Sequence, residues 1–229
     1  MPRKSPSQAL LPGLYLVTPD EPDAARLFAR VAPLLPFASC VQYRNKRADA
    51  DVREYQARGL HALCVDADVP LIINDDAALA ARIGVDGVHL GEHDGDIAEA
   101  RSLLGHDAII GVSCYDDLAR AENAARVGAD YIAFGAFFPS PTKPMARRAA
   151  PGLLQAAARL GLPLVAIGGI TPDNARPLIA AGADLIAVVS GVFDAADPVA
   201  AARAYHACFM PPHPDPRAIA DEGVHEPPT

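Results

Sequence analysis

The sequence alternates eight short runs rich in Val, Ile and aromatic residues with longer segments rich in Ala, Leu and Arg. We interpret the short runs as strands at residues 13–17, 39–44, 70–74, 87–90, 108–113, 131–136, 163–169 and 185–191. Such alternation is typical of βα units around a parallel sheet, and eight units are the number that closes a barrel. The sequence therefore predicts the α/β class, as a single (βα)8 TIM barrel with parallel strands.

The predicted helices are amphipathic, and their ends carry recognisable stop signals. In residues 116–128 apolar residues recur near the helical period, with Arg and Glu between them. A glycine and a small residue precede an aspartate three times, at residues 84–86, 128–130 and 182–184. A glycine there suits the left-handed end of a helix before the next strand. Because these aspartates precede strands, we expect them at the amino-terminal face of the barrel, which serves stability.

The predicted catalytic domain spans residues 13–209, and the composition changes on either side of it. Residues 1–12 and 210–229 do not continue the pattern, and the second segment is rich in Pro, Asp and Glu. We expect both segments to be mobile. A chain of 229 residues is of ordinary size for one such barrel.

Charge and composition limit the partners of the chain. Because the formal net charge is -8 at pH 7, an anion must be held by locally placed cations and amides, and nucleic-acid binding is disfavoured. No apolar run approaches the roughly 20 residues that span a bilayer, and the first residues lack the apolar stretch of a secretory signal. We therefore expect no membrane partner and a cytoplasmic location. The four cysteines form no Cys-x-x-Cys pair, and a homo-oligomer is compatible with the sequence.

Polar side chains crowd the predicted carboxyl ends of the strands, where a barrel builds its active site. Beyond the second strand, the alternation of residues places Gln42, Arg44 and Lys46 on one side of the chain. The chain contains only three lysines, and two of them, Lys46 and Lys143, fall just beyond predicted strands. We interpret Gln42, Arg44 and Lys46 as a row of polar and cationic side chains that faces an anion. The alternative is that they form the solvent-exposed start of a loop.

Carboxylates follow the third and fourth strands. Asp75 and Asp94 come after neighbouring strands and suit Mg²⁺, which prefers one or two carboxylates together with substrate phosphate oxygens. Asp76 instead suits the N-cap of the helix that follows. A zinc site at His89 and His93 is disfavoured, because their spacing falls on a strand-to-loop junction and not on a helix.

The loops after the last three strands contain groups that bind anions. The loop after the sixth strand presents Ser140, Thr142 and Lys143 among three prolines, which restrict the backbone and pre-organise these side chains. The seventh and eighth strands end in the glycine-containing segments 168–169 and 190–191. Loops of this kind form the usual phosphate site of the fold, although tight turns alone also require glycine. The predicted ligand is a small molecule that carries phosphate.

Seven motifs in order at successive strand ends resemble those of the thiamine phosphate synthase family, also called thiamin-phosphate pyrophosphorylases. They are QYRNK, NDD, HLGEHD, GVSCY, FGAFFPSPTKP, AIGGIT and AVVSG, and the resemblance covers residues 13–209. It implies an enzyme that joins 4-amino-2-methyl-5-hydroxymethylpyrimidine pyrophosphate to 4-methyl-5-(2-hydroxyethyl)thiazole phosphate, or to its carboxylated form. The products are thiamine phosphate and pyrophosphate, the cofactor is Mg²⁺, and the substitution is dissociative.

The resemblance also implies roles for individual residues. The pyrimidine pyrophosphate would be held by Gln42, Arg44, Lys46, Asn74 and Lys143, and Mg²⁺ by Asp75 and Asp94. Ser113 would lie near the reacting groups, and the thiazole phosphate would be held by Ser140, Thr142, Gly169, Val189 and Ser190. The catalytic candidates are Arg44, Lys46, Ser113 and Lys143. Because the thiazole nitrogen has a free lone pair, the enzyme needs no nucleophile of its own, and catalysis would be electrostatic.

Three other functions known for barrels of this kind fit the sequence less well. A thiazole tautomerase of the same fold would not need the full set of pyrophosphate ligands. A Schiff-base aldolase would need a lysine inside a strand, and residues 131–136 contain none. A phosphate-sensing barrel without activity would keep the glycine loops and lose the metal carboxylates. The sequence departs from the family in having Ser140 where many relatives have threonine and Glu92 where they often have glutamine.

Overall fold

The computed structural model describes residues 10–139 and 147–210. Eight parallel strands close into a barrel in sequential order, so the predicted single (βα)8 barrel is confirmed. The strands are β1 (Gly13–Val17), β2 (Ala38–Tyr43), β3 (Leu71–Asn74), β4 (Gly87–Leu90), β5 (Ile109–Tyr115), β6 (Tyr131–Phe134), β7 (Leu164–Ile167) and β8 (Leu185–Val188).

Helices surround the barrel. They are α1 (Ala24–Val31), α2 (Ala50–Asp66), α3 (Ala77–Ile83), α4 (Ile97–Leu104), α5 (Leu118–Val127), α6 (Pro151–Ala157), α7 (Pro172–Ala180), α8 (Ser190–Phe193) and α9 (Pro198–Ala207), with short 3₁₀ helices at Ala32–Phe37 and Ala158–Leu160. No described helix combines the length and apolar composition that a membrane crossing requires.

Aspartate residues begin many of these helices. In six of the described helices an aspartate N-cap accepts a hydrogen bond from a backbone N–H of the first turn, a contact that contributes about 1 kcal/mol to stability. The capping residues are Asp23, Asp49, Asp76, Asp96, Asp117 and Asp197. The predicted capping role of Asp76 is confirmed by its 2.8 Å bond from the N–H of Leu79.

Several strand ends differ from the prediction. The last three strands end at Phe134, Ile167 and Val188, two or three residues earlier than expected. Beyond Ile167 the backbone turns at glycines with φ of 101° and 63°, a region that no strand uses. Beyond Val188 the chain enters α8 almost at once. The apolar character of these segments therefore reflects packing at the barrel mouth and not continued strand pairing.

The three Gly-x-Asp segments lie at the amino-terminal face, as predicted, and each aspartate binds the strand before it. Its carboxylate accepts a hydrogen bond from the first or second backbone N–H of that strand. The pairs are Asp86 with Leu71 at 2.9 Å, Asp130 with Ile110 at 2.7 Å, and Asp184 with Leu164 at 2.8 Å. The glycines two residues before them have φ of 77°, 98° and 109°. The repeat thus joins three pairs of neighbouring strands, β3 with β4, β5 with β6 and β7 with β8, at the stability face.

The core has two layers, one between sheet and helices and one inside the barrel. The inner layer contains Tyr15, Cys40, Ile72, Ile109, Tyr131, Val165 and Leu185. Leu10 is also buried against this layer, so the packed part of the chain begins before residue 13. The expected mobility of the two termini concerns mainly residues 1–9 and 211–229, which lie outside the described residues, and it stays a prediction.

Candidate active site

The carboxyl ends of β2 and β3 bring the predicted cations and carboxylates together. Nζ of Lys46 lies 3.1 Å from Oδ2 of Asp75. Both residues line a cavity of about 220 Å³, to which Asn74, the last residue of β3, also contributes. The structure therefore places three of the predicted ligands of a pyrophosphate and its metal around one space.

Asp20, which the sequence analysis did not single out, anchors the cationic segment. Its Oδ1 accepts a hydrogen bond from the backbone N–H of Lys46 at 2.8 Å and lies 3.3 Å from Nη1 of Arg44. Thr18 fixes the same segment, because its hydroxyl donates to the carbonyl oxygen of Arg44 at 3.0 Å and accepts from its N–H at 2.9 Å. The loop after β1 thus holds the loop after β2. An acidic residue at a loop start resembles a solvated charge in sequence, which is why Asp20 was missed.

Gln42 does not share a surface with Arg44 and Lys46. Its side chain is buried and donates a hydrogen bond of 2.9 Å to the hydroxyl of Tyr15 inside the barrel. The side chains of Arg44 and Lys46 are 22% and 53% exposed. The physical reason is that β2 ends at Tyr43, so the strict alternation used in the prediction stops before the two cations.

Asp75 and Asp94 form a carboxylate pair at the ends of β3 and β4. Burial raises the pKa of Asp94, and a hydrogen bond with Asp75 and the charge of Asp75 raise it further. Gly91 makes room for the pair, since a Cβ at that position would lie 2.2 Å from Oδ2 of Asp94 and 3.8 Å from Oδ1 of Asp75. Two carboxylates this close favour a shared proton or a cation.

The carboxylate pair suits a magnesium ion, which takes some of its ligands from water and substrate. It suits less well a metal ion whose ligands all come from the protein. Among the described residues no group of three or more His, Cys, Asp and Glu could hold a metal. Mg²⁺ keeps several waters and takes its remaining ligands from substrate phosphates, so two carboxylates are sufficient for it. Lys46 adds a positive charge beside Asp75.

His89 and His93 do not form a zinc site. His89 is buried, with Nδ1 2.8 Å from the hydroxyl of Tyr131 and Nε2 2.8 Å from Oγ of Ser113. Burial lowers its pKa to about 4, although the charge of Asp75 opposes this effect. His93 is exposed. Both ring nitrogens of His89 are therefore hydrogen-bonded to other side chains, whereas His93 lies at the surface.

A line of hydrogen bonds crosses the barrel interior from β2 to β5. Gln42 binds Tyr15, the hydroxyl of Tyr15 lies 2.7 Å from that of Tyr131, and Tyr131 contacts His89, which reaches Ser113. Burial raises the pKa of both tyrosines well above the usual value, so both stay protonated. Neither tyrosine was predicted as a site residue, because aromatic residues inside strands usually belong to the apolar core.

Arginines hold the loops after β4, β5 and β6. Arg120 donates to the carbonyl oxygen of Ser113 at 2.7 Å and to that of Gly91 at 3.1 Å. Arg147 lies over the ring of Tyr115 and 3.4 Å from the carboxylate of Glu92. Glu92 thus takes part in an ion pair across the mouth of the barrel.

The loop after β7 packs directly against the segment after β6. The N–H of Phe138 donates to the carbonyl oxygen of Gly168 at 2.9 Å. A Cβ at Gly169, where φ is 63°, would lie 2.3 Å from the carbonyl oxygen of Pro139. Gly169 is thus needed for the contact between the two loops, whatever it binds. Ser140, Thr142 and Lys143, the predicted ligands in the next segment, lie outside the described residues.

Val189 follows β8 directly, and Ser190 is the first residue of the short helix α8. The hydroxyl of Tyr205, on α9, donates to the carbonyl oxygen of Ile170 at 2.8 Å. A Cβ at Gly191 would meet that hydroxyl at 2.3 Å. Tyr205 therefore joins the loops after β7 and β8, and the predicted phosphate ligands of both loops lie on adjacent strand ends.

Comparisons with known proteins find relatives that match most of the chain. The model of a family described as thiamine monophosphate synthase matches residues 14–192. A thiamine-phosphate synthase of Xanthomonas campestris pv. campestris (strain 8004) is 64% identical over 197 residues, which cover 86% of this chain and 95% of that protein. One of Azoarcus sp. (strain BH72) is 60% identical over 199 residues, with coverages of 86% and 97%. A solved thiamine phosphate pyrophosphorylase from Pyrococcus furiosus superimposes with a TM-score of 0.77 at 30% identity, over 88% of this chain and 96% of that one.

Proposed function

The chain belongs to the thiamine monophosphate synthase family and synthesises thiamine phosphate, and we propose that it does so with Mg²⁺ at the carboxyl ends of β2, β3 and β4. The reaction transfers a pyrimidinylmethyl group. The bond between the methylene carbon and the pyrophosphate oxygen breaks, and a bond forms between that carbon and the thiazole nitrogen. The observation that carries the proposal is the contact of Lys46 with Asp75 beside Asp94.

The pyrimidine pyrophosphate occupies the cavity beside Lys46. Arg44 and Lys46 supply positive charge there, and Asp20 holds both of them in place. Asn74 lines the same cavity. Gln42 and Lys143 complete the set by resemblance to the family, with Gln42 acting from inside the barrel. Guanidinium and ammonium groups are the usual partners of phosphate oxygens.

Asp75 and Asp94 hold Mg²⁺. When bound, the ion neutralises negative charge on the pyrophosphate and makes it a better leaving group. The raised pKa of Asp94 supports this assignment, because burial and the neighbouring Asp75 carboxylate both disfavour its charged form, and a bound cation would offset both effects. Within the protein, Lys46 supplies only part of the positive charge that Asp75 and Asp94 require.

The side chains of the protein act mainly by electrostatics. Negative charge develops on the departing pyrophosphate while a positive aminopyrimidine forms, so Arg44, Lys46 and Lys143 interact more strongly with the transition state than with the substrate. The thiazole nitrogen attacks with its own lone pair. Ser113, at the carboxyl end of β5, lies beside the reacting groups and donates a hydrogen bond.

The thiazole phosphate binds at the ends of β7 and β8. Gly169, Val189 and Ser190 hold it partly through backbone amides, which can approach phosphate oxygens closely. Ser140 and Thr142 add hydroxyls from the loop after β6, by resemblance to the family. The contacts of Phe138 and Pro139 with the loop after β7 support the assignment, because they bring the start of the loop after β6 to Gly168 and Gly169.

The enzyme acts on small molecules in the cytoplasm, alone or as a homo-oligomer. The cysteines in the described residues are all free and buried, which suits a reducing compartment. Pyrophosphate release tests the proposed reaction. We expect release only when both the pyrimidine pyrophosphate and the thiazole phosphate are present with Mg²⁺, and a barrel that binds the thiazole phosphate without releasing pyrophosphate would contradict the transferase mechanism.

A further inference from the structure

The hydrogen bonds inside the barrel have a direction, which follows from counting their donors. Gln42 donates an amide hydrogen to the hydroxyl oxygen of Tyr15. The hydroxyl hydrogen of Tyr15 is then free to reach the oxygen of Tyr131 at 2.7 Å, and that of Tyr131 to reach Nδ1 of His89 at 2.8 Å. In this direction each hydrogen has a strong acceptor.

The opposite direction leaves a buried group poorly bonded. If Nδ1 of His89 carried the hydrogen, Tyr131 would accept it and donate to Tyr15. The oxygen of Tyr15 would then accept two hydrogens, and its own hydrogen would turn to the sulfur of Cys40, a weak acceptor. Tyr15 is fully buried, where a poorly satisfied hydroxyl is costly. Nδ1 of His89 is therefore an acceptor, and its Nε2 carries the hydrogen.

The strands are built to allow the contact between Tyr131 and His89. His89 on β4 pairs with Gly111 on β5, and Gly111 pairs with Tyr131 on β6. A Cβ at Gly111 would lie 1.8 Å from Cζ of Tyr131, so the tyrosine ring occupies the place of a side chain on the strand between them. Glycine inside a strand weakens the strand, and here it makes room for this ring.

We propose that His89 is a positioning residue, which holds the hydroxyl of Ser113 so that its hydrogen points to the reacting groups. Nε2–H of His89 donates to Oγ of Ser113 at 2.8 Å. A hydroxyl that accepts from the protein on one side is free to donate on another, and Ser113 is half-buried near the carboxyl end of β5, where the proposed function puts the substrates. Its acceptor is an oxygen of the leaving pyrophosphate, where negative charge builds. The inference rests on the proposed function of Ser113.

The tautomer of His89 can be measured without activity. In ¹⁵N NMR spectra of the labelled full chain, assigned by comparison with His89→Gln, we expect His89 with a protonated Nε2 and an unprotonated Nδ1. Tyr131→Phe removes the hydrogen donor to Nδ1 and should raise the population with a protonated Nδ1. A wild-type ring protonated at Nδ1 would overturn the inference, whatever the enzyme catalyses.

Kinetics test whether this tautomer serves the reaction. Tyr131→Phe should lower kcat by about ten- to a hundredfold, the effect of one hydrogen bond to a charged group, with each KM changed less than about twofold. In a Ser113→Ala background the same substitution should change kcat by less than about twofold, because the effect passes through Ser113. His89→Gln, which keeps an N–H donor, should retain more turnover than His89→Leu. Val165→Ala, which thins the same inner core without removing a hydrogen bond, is the matched control for packing.

The outcomes separate the inference from the proposed function. The positioning role would be overturned if Tyr131→Phe lowered kcat equally in the wild type and in the Ser113→Ala background. It would also be overturned if Val165→Ala lowered kcat as much as Tyr131→Phe does. A Ser113→Ala variant with wild-type kcat would also overturn it. Absence of pyrophosphate release by the wild type would instead contradict the proposed function, while the NMR spectrum would still decide the direction of the hydrogen bonds.

Discussion

The ammonium nitrogen of Lys46 lies 3.1 Å from Oδ2 of Asp75, so that a cation from the end of β2 meets a carboxylate from the end of β3. Asp94, from the end of β4, lies beside this pair and has a raised pKa. Three neighbouring strands thus place positive and negative groups within reach of one small ligand.

Asp94→Asn should raise the melting temperature of the protein without Mg²⁺. The substitution removes a partly buried charge that lies close to Asp75, and its amide oxygen can still accept the 3.1 Å hydrogen bond from Gly91. Scanning calorimetry with and without MgCl₂ provides the measurement. Added Mg²⁺ should stabilise the wild type and have little effect on the variant, and a variant that keeps the full Mg²⁺ stabilisation would refute the assignment of Asp94.

The two phosphate subsites should fail differently when they are mutated. Lys46→Ala removes a charge that opposes charge developing on the leaving group, so kcat should fall more than substrate binding weakens. Ser190→Ala removes one hydroxyl from the thiazole-phosphate site, so its main effect should be a higher KM for that substrate, by a factor that corresponds to about 1.5–3 kcal/mol or less. Steady-state kinetics with each substrate varied decide the matter. The opposite pattern would reverse the two subsites.

Asp130→Ala should destabilise the barrel and leave KM for both substrates unchanged. Its carboxylate accepts from the N–H of Ile110 at 2.7 Å and from Arg101 at 2.6 Å, at the face opposite the site. Loss of these contacts should lower the free energy of unfolding by about 1–3 kcal/mol, measured in urea. Asp107→Ala is the control, because Asp107 is exposed and contacts only His106 among the residues described. A changed KM in Asp130→Ala would mean that this face also shapes the site.

Glu21→Gln should destabilise the protein at neutral pH by about 1–2 kcal/mol. Hydrogen bonds from Arg26, at 2.7 and 2.6 Å, hold the pKa of this buried carboxyl below its usual range, and Arg30 adds to the effect. Because the folded-state pKa is lowered, the stabilisation is present above the ordinary glutamate pKa of about 4.3 and is lost as pH falls through the folded-state value.

Urea unfolding of the wild type and Glu21→Gln between pH 7 and pH 3 measures this loss. The difference between the two proteins should shrink as the pH falls below about 4. Glu54→Gln is the matched control, since the contacts of Glu54 with Arg58 and Arg82 are exposed and screened by solvent. A Glu21 difference that stays constant with pH would show that the carboxylate charge contributes nothing.

The sequence predicted the parts of the structure that depend on local pattern. The alternation of strand and helix runs predicted the closed barrel, and Asp76 and the three Gly-x-Asp segments were assigned correctly because caps and helix ends depend on near neighbours. The strand ends after Phe134, Ile167 and Val188 were wrong because packing at the mouth uses the same apolar residues as a strand.

The interior contacts could not be read from the sequence in the same way. Tyr15 and Tyr131 are 116 residues apart, and only barrel closure and the room left by Gly111 bring them to His89. Asp20 was missed for a similar reason, because its partners lie on the next strand end. Pairing across strands depends on register, which the alternation of residues does not specify.

Turnover of Asp75→Asn as a function of Mg²⁺ concentration tests the central claim most directly. Asp75 has φ of 64°, a conformation that asparagine tolerates, so the substitution removes the charge and keeps the backbone. With both substrates present, pyrophosphate release by the wild type should rise with Mg²⁺ and saturate. Asp75→Asn should lose most of its turnover at every Mg²⁺ concentration. Near wild-type rates with an unchanged Mg²⁺ dependence, in this variant and in Asp94→Asn, would contradict the account.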